Sequence, residues 1–142
     1  MLEKSTGFAW PARVYYEDTD SGGVVYYANY LKFFERARTE WLRAAGISQQ
    51  ALAESDGVMF VVRSAAIDYH APAKLDDELN VTVAVERLGR ASVQFVQEAW
   101  RITGTQRELL TTGRIKVGSI DTSTLRPAAI PNHVLEKIRS ME

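Results

Sequence analysis

Hydrophobic and polar positions along this chain follow two periods, and the change of period predicts the elements. Tyr30, Phe33, Phe34, Ala37, Trp41, Ala44 and Ala45 recur at helical spacing. Lys32, Glu35, Arg36, Thr39, Glu40 and Arg43 fill much of the rest, so residues 29–45 are predicted to form a long helix. Gly46 is a natural C-terminal stop. The apolar face is broad and aromatic, as expected of a helix lying against a sheet.

Elsewhere the period is two. Trp10 to Tyr16 reads as a first short strand, with Pro11 tolerated near its start. After a short helical turn within 47–56, strand-like stretches follow near 58–69, 77–87, 90–103 and 107–120. The second is the clearest: Leu79, Val81, Val83 and Val85 alternate with Asn80, Thr82, Ala84 and Glu86. Leu88-Gly89-Arg90 and Thr103-Gly104-Thr105 read as turns between antiparallel strands. Arg126-Pro127 and Pro131 break the chain before a last helix near 132–141, whose apolar face is Val134, Leu135 and Ile138. Strand, long helix, four strands is an α+β pattern, a helix on a five-stranded antiparallel sheet. Such a sheet leaves one face for water or a partner.

Composition narrows the picture. A chain of 142 residues with 46% hydrophobic and 25% charged residues reads as one globular domain over residues 1–142. Its net charge of -1 gives no support to nucleic-acid binding, which needs clustered positive charge. There is no cysteine, which excludes disulfides and thiolate chemistry. His70 and His133 are the two histidines, too far apart in sequence to point to a metal site. The first residues have no apolar core of signal-peptide length, and no apolar run approaches the length of a membrane span. The expected location is the cytoplasm, without membrane insertion.

Candidate chemistry gathers in residues 15–30, YYEDTDSGGVVYYANY. Three acids precede a glycine pair, and the predicted helix begins a few residues later. A helix N-terminus offers unpaired N–H groups and partial positive charge, which can polarise a carbonyl. A carboxylate beside it can act as base or nucleophile on that carbonyl. The same residues could merely cap a helix and turn the chain. Gly23 and Val24 are candidate substrate contacts, because glycine lets a ligand come close to the backbone.

This stretch resembles the active-site loop of hotdog-fold acyl-CoA thioesterases of the 4-hydroxybenzoyl-CoA thioesterase superfamily, most of all its YbgC branch, associated with the Tol-Pal system. Residues 13–20 and Gly22-Gly23-Val24-Val25-Tyr26 carry the resemblance. Residues 35–40, 60–63, Tyr69, 71–73 and 75–77 extend it over nearly the whole chain. It implies a long central helix wrapped by a curved antiparallel sheet. It also implies dimers joined edge to edge, commonly paired into homotetramers, with active sites at the dimer interface. By resemblance Asp20 is the catalytic carboxylate, nucleophile or general base, and the Tyr27 backbone N–H polarises the thioester carbonyl. No cofactor or metal is implied, CoA being part of the substrate. The YbgC branch usually carries histidine where this chain has Tyr27. A backbone role survives that change. A side-chain proton-transfer role does not carry over, because a phenol titrates near pKa 10 and an imidazole near 6.5.

Other candidates have competing readings. Asp18 and Glu17 are expected to hold loop amides. Glu35 is a rival carboxylate, but a salt bridge to Arg38, Arg36 or a strand is the expectation. Tyr30, Phe33 and Phe34 could line an acyl or aryl pocket, although aromatics at helical spacing are usually core. His70 is expected to be satisfied or exposed, and His133 solvated. Arg63, Lys74 and Arg90 are candidates for CoA phosphates. A non-catalytic protein binding acyl-CoA or acyl carrier protein, as a scaffold beside the Tol-Pal system, is the alternative. Retention of Asp20 beside the glycines favours the enzyme.

Overall fold

The computed structural model describes residues 7–141, and in it the helical spacing becomes α1, Tyr30–Ala44. Phe33, Phe34, Ala37, Trp41 and Leu42 are buried, while Lys32, Glu35, Arg36 and Arg43 are exposed. The helix stops as its sequence predicts. Gly46 adopts φ +82° and its N–H donates to the Arg43 carbonyl at 2.9 Å, while the Ile47 N–H donates to the Leu42 carbonyl at 2.8 Å. This paired closure needs a left-handed residue after the last turn, where glycine pays no Cβ penalty.

Six strands form one sheet: β1 (Ala9–Arg13), β2 (Val58–Tyr69), β3 (Glu78–Thr82), β4 (Ala84–Leu88), β5 (Ser92–Thr103) and β6 (Gln106–Asp121). The order is β1-β3-β5-β6-β2, with β4 also beside β5, and all pairings are antiparallel. Irregularities at Val62/Ser64, Val85/Arg87 and Ala99/Trp100 are of the kind that bends strands. Residues 47–56 become a single turn α2 (Gln49–Ala51) running into a π turn, Leu52–Asp56. The last helix is α3, Asn132–Ser140, and buries Val134, Leu135 and Ile138. No helix among the described residues is long and apolar enough to cross a membrane.

Two strand expectations are refined. The first strand stops at Arg13, and Tyr16–Asp18 folds into a 3-10 turn. The stretch 77–87 divides at Val83, so the sheet has six strands rather than five. Its apolar face is continuous, with Leu79, Val81 and Val83 all buried, but its backbone pairing is not. The Val83 N–H donates to the Phe8 carbonyl at 3.4 Å, away from β5. Across the gap, the Thr82 hydroxyl accepts the Glu98 N–H at 2.9 Å and the Thr82 carbonyl accepts the Gln97 side-chain amide at 3.2 Å. Side-chain bonds replace ladder bonds there, a substitution that alternation cannot reveal.

The core lies between α1 and the inner sheet face. The Trp41 and Phe95 rings meet edge-on with centroids 5.4 Å apart. Phe34 sits over the bare backbone of Gly113, where an added Cβ would lie 2.8 Å from its ring and 3.0 Å from Ile67 Cδ1. Glycine at that point sets how closely helix and sheet approach.

Candidate active site

The acidic loop is held at both ends by the buried Asp18. Its Oδ2 accepts the Tyr15 N–H at 2.9 Å, its Oδ1 accepts the Asn29 side-chain amide at 2.9 Å, and its carbonyl accepts the Tyr26 N–H at 3.0 Å. A carboxylate with these partners is a structural fastener. Glu17 is exposed.

Asp20 stands at the tip and is exposed. Its backbone is fixed: the N–H donates to the Val24 carbonyl at 2.9 Å and the carbonyl accepts the Gly23 N–H at 3.0 Å. Its Oδ1 accepts the Gly22 N–H at 2.8 Å. Its Oδ2 has no hydrogen-bond partner among the described residues. The glycine pair is explained by this geometry. Gly23 adopts φ +82°, and a Cβ on Gly22 would come within 3.3 Å of Asp20 Oδ1. Thr19 and Val25 bridge behind the tip.

Tyr27 opens a 3-10 turn, Tyr27–Asn29, that leads directly into α1, so the helical segment starts earlier than the apolar spacing implied. The Tyr27 N–H has no hydrogen-bond partner among the described residues, as expected of the first residue of a helical segment. Its carbonyl accepts the Tyr69 hydroxyl at 3.1 Å. Tyr26, Tyr27 and Tyr69 expose aromatic surface beside Asp20's loop, with Tyr26 and Tyr27 centroids 4.9 Å apart. Burial, with the neighbouring Tyr27 and Tyr30, raises the Tyr69 pKa, so its hydroxyl remains a donor at neutral pH.

The other candidates separate. Gly23 and Val24 lie in the loop, and Lys74 reaches it through a backbone bridge to Val24. Tyr30, Phe33 and Phe34 belong to the core. The Tyr30 hydroxyl accepts the Ala73 N–H at 3.1 Å, which occupies its polar end. Arg63 is the extra residue of the β2 irregularity, and its alkyl chain crosses Gly118, where a Cβ would lie 2.5 Å from its Cδ. Arg90 is exposed in the turn before β5, and Ser92 pairs with the same Gly118. Both arginines therefore sit toward one end of the sheet, and Tyr69 marks the other. Six residues of β2 separate Arg63 from Tyr69, about 20 Å. One chain does not bring Arg63 and Arg90 to Asp20.

Glu35 makes no salt bridge among the described residues. It lines a cavity of about 410 Å³ between α1 and the sheet, with Leu31, Phe60, Val62, Phe95 and Val117. Arg38, expected from the sequence only as a salt-bridge partner of Glu35, lines it too. It is 8% exposed and donates to the Gln97 side-chain oxygen at 2.9 Å, and Gln97 donates onward to the Phe34 carbonyl at 3.1 Å. Burial pulls the Arg38 pKa down to about 10, against an opposing pull from Glu35. No sequence signal separates it from the exposed Arg36, apart from its place on the apolar side. His70 is exposed and meets the Thr112 hydroxyl at 3.0 Å. His133 is exposed but not simply solvated: its Nε2 lies 3.0 Å from Asp56 Oδ2 and ties α3 to the π turn. Among the described residues, no three His, Asp or Glu side chains gather as a metal site.

The arrangement offers a fixed carboxylate, an open amide and an apolar cavity near one helix. Residues 14–138 match the family model described as the thioesterase-like superfamily. The acyl-CoA thioesterase YbgC of Haemophilus influenzae is 48% identical over 128 residues, covering 90% of this chain and 91% of that protein. The acyl-CoA thioester hydrolase YbgC of Escherichia coli O6:H1 is 43% identical, covering 95% and 98%. The crystal structure of a 1,4-dihydroxy-2-naphthoyl-CoA thioesterase from Synechocystis superposes with a TM-score of 0.83 at 25% identity, covering 93% and 95%. The chain therefore belongs to the thioesterase-like superfamily and, within it, to the hotdog-fold family of the YbgC acyl-CoA thioesterases, and it is a thioester hydrolase.

Proposed function

We propose that the protein hydrolyses an acyl-CoA thioester to a free acid and CoA, with Asp20 as the reacting carboxylate and the Tyr27 N–H as the oxyanion donor. The observation that carries this reading is the pairing of a rigidly held, exposed carboxylate with an unpartnered N–H at the head of a helical segment. The thioester carbonyl oxygen accepts from that N–H, and the helix dipole favours the charge that develops on it. Asp20 then acts in one of two balanced ways. As a nucleophile it forms an anhydride, CoA leaves as thiolate, and water cleaves the anhydride. As a general base it takes a proton from water, which attacks the carbonyl carbon directly; the tetrahedral intermediate then breaks its C–S bond, and CoA leaves as thiolate and takes up the proton.

The acyl group is placed in the cavity beneath α1. Leu31, at its near end, lies one helical turn beyond Tyr27, and Leu42 lies eleven residues on, about 16 Å along the axis. The apolar lining suits an acyl chain.

The site is completed by a second copy. β2 is a twelve-residue edge strand without proline, whereas the opposite edge, β1, has five residues and contains Pro11. A long edge without proline is the one that pairs. Antiparallel pairing of β2 with its twofold mate reverses the sheet ends. It brings Arg63 and Arg90 of the second copy toward the Asp20 end of the first, where cations can meet CoA phosphates. Further pairing of dimers gives a homotetramer.

Thiol release from short, medium, long and aromatic acyl-CoAs tests the reading, with Asp20→Asn beside the parent protein. The expected result is loss of turnover by about 10²-fold or more in the variant. Equal slow turnover in both overturns it. No turnover with tight acyl-CoA binding favours a scaffold that holds acyl-CoA or acyl carrier protein beside the Tol-Pal system.

A further inference from the structure

We propose that Arg101, on β5, is a positioning residue for the Asp20 carboxylate and acts through residues 72–77. This rests on the reading that Asp20 is the reacting group. The Arg101 guanidinium grips both ends of that segment. Its Nε donates to Asp77 Oδ2 at 2.9 Å and its Nη2 to the Pro72 carbonyl at 2.6 Å, while Nη1 donates to the Glu108 carboxylate. The Arg101 and Asp77 side chains are only 19% and 21% exposed, so solvent screens the pair less than a surface one.

The clamped segment is a poor holder of its own shape. Asp76 adopts φ +72°, a conformation that a non-glycine residue keeps only when its surroundings impose it. Its turn is closed by Asp77, whose Oδ2 also accepts the Lys74 N–H at 2.8 Å. Between the two grips, the Ala73 carbonyl accepts the Val25 N–H at 2.8 Å and the Ala73 N–H donates to the Tyr30 hydroxyl at 3.1 Å. One residue thus supports the Asp20 loop on one side and the start of α1 on the other. The next link is short. Val25 is joined to Val24 by a peptide bond, and the Val24 carbonyl accepts the Asp20 N–H at 2.9 Å. Every step from guanidinium to Asp20 is a hydrogen bond or a peptide bond.

A planar guanidinium can serve a carboxylate and a carbonyl in two directions at once, which a single ammonium cannot. Arg101→Lys keeps the charge and loses the span. Misplacement of a reacting group by about 1 Å costs up to about 10²-fold in rate. Arg101 bonds to neither Arg63 nor Arg90, the cations proposed for CoA, so CoA binding should be spared.

The experiment measures kcat and KM for thiol release by the parent protein, Asp20→Asn, Arg101→Lys and the double variant, with folding and size checked for each. Arg101→Lys is expected to lower kcat by about tenfold or more with KM within about twofold. In the double variant it should add nothing to Asp20→Asn, because there is no reacting carboxylate left to misplace. Unchanged kcat in Arg101→Lys, a rise in KM alone, or multiplied effects in the double variant overturns the proposal. If Arg101→Lys fails to fold, Asp77→Asn carries the same expectation, since it keeps an oxygen for the Lys74 N–H while losing the charge that Arg101 grips. Equal activity of Asp20→Asn and the parent overturns the Asp20 reading, and the proposal with it. Failure confined to the Arg101 and Asp77 variants overturns the proposal alone.

Discussion

The Asp18 carboxylate accepts the Asn29 side-chain amide at 2.9 Å across eleven residues, and both groups are buried. This bond closes the acidic loop onto the head of α1. Two residues later Asp20 points outward with a free oxygen. Neighbouring carboxylates of identical chemistry thus have opposite uses, decided by burial and partners.

Asp18→Ala leaves the Tyr15 N–H and the Asn29 amide without their acceptor. It should cost about 2 kcal/mol or more of folding stability, the usual penalty for stranded buried donors. Urea denaturation measures it. Asp20→Asn should stay within about 1 kcal/mol of the parent on the same curve, because its side chain is exposed. Equal stability losses at the two sites would contradict the division of roles.

Gly113→Ala pushes a methyl group to within 2.8 Å of Phe34. Overpacking of this kind costs about 1–3 kcal/mol. Thermal melting should show the loss, and Gly104→Ala is not a fair control because Gly104 has φ +61°. An unchanged melting temperature would mean that α1 can lift off the sheet freely.

Ala66→Lys places a charge on the edge strand β2, where Ala66 is exposed and is not part of the cavity lining. It should leave the single chain folded while weakening pairing through β2. Sedimentation should show a monomer, and thiol release should fall with it. A fully active monomer would disprove a site shared between two copies.

The acid limb of stability should carry an Asp121 contribution. Its carboxylate accepts the Thr124 N–H at 2.9 Å and the Ser123 N–H at 2.8 Å, and these bonds hold its pKa below the usual 3.8. A carboxyl group with a depressed folded pKa adds stability above its unfolded pKa. That stability is lost as pH falls through the folded value, so the window lies below about pH 4. Asp121→Asn should melt lower than the parent at pH 7 and converge with it in strong acid. A gap that stays constant with pH would assign the difference to packing.

Much of this was legible because it is local. The spacing of Phe33, Phe34, Ala37 and Trp41 reports a face, and a face reports a neighbour. The acid-glycine-aromatic order of residues 17–30 encodes a turn before a helix, and the backbone there follows it. What stayed hidden depends on residues distant in sequence. The break at Val83 exists because Phe8 supplies an acceptor and Gln97 fills the gap. Helical spacing puts Arg38 on the apolar side of α1 and Arg36 off it, but only the position of Gln97 gives the buried Arg38 guanidinium its acceptor. Arg101 reads as an exposed strand residue until Pro72, Asp77 and Glu108 close around it. Pattern gives direction to side chains, but it does not say which remote atom waits there.

The spacing along β2 between Arg63 and Tyr69 has an evolutionary meaning. The proposed reaction chemistry lies toward one end of the strand, and the candidate nucleotide grip lies toward the other. The wall of the cavity proposed to take the acyl group runs between them through Phe60 and Ala65. These wall positions share no hydrogen bond with the 15–30 loop or its 72–77 support. Descendants can therefore exchange one acid for another by drifting in wall volume, generation after generation, while the machinery that cleaves the thioester is inherited intact.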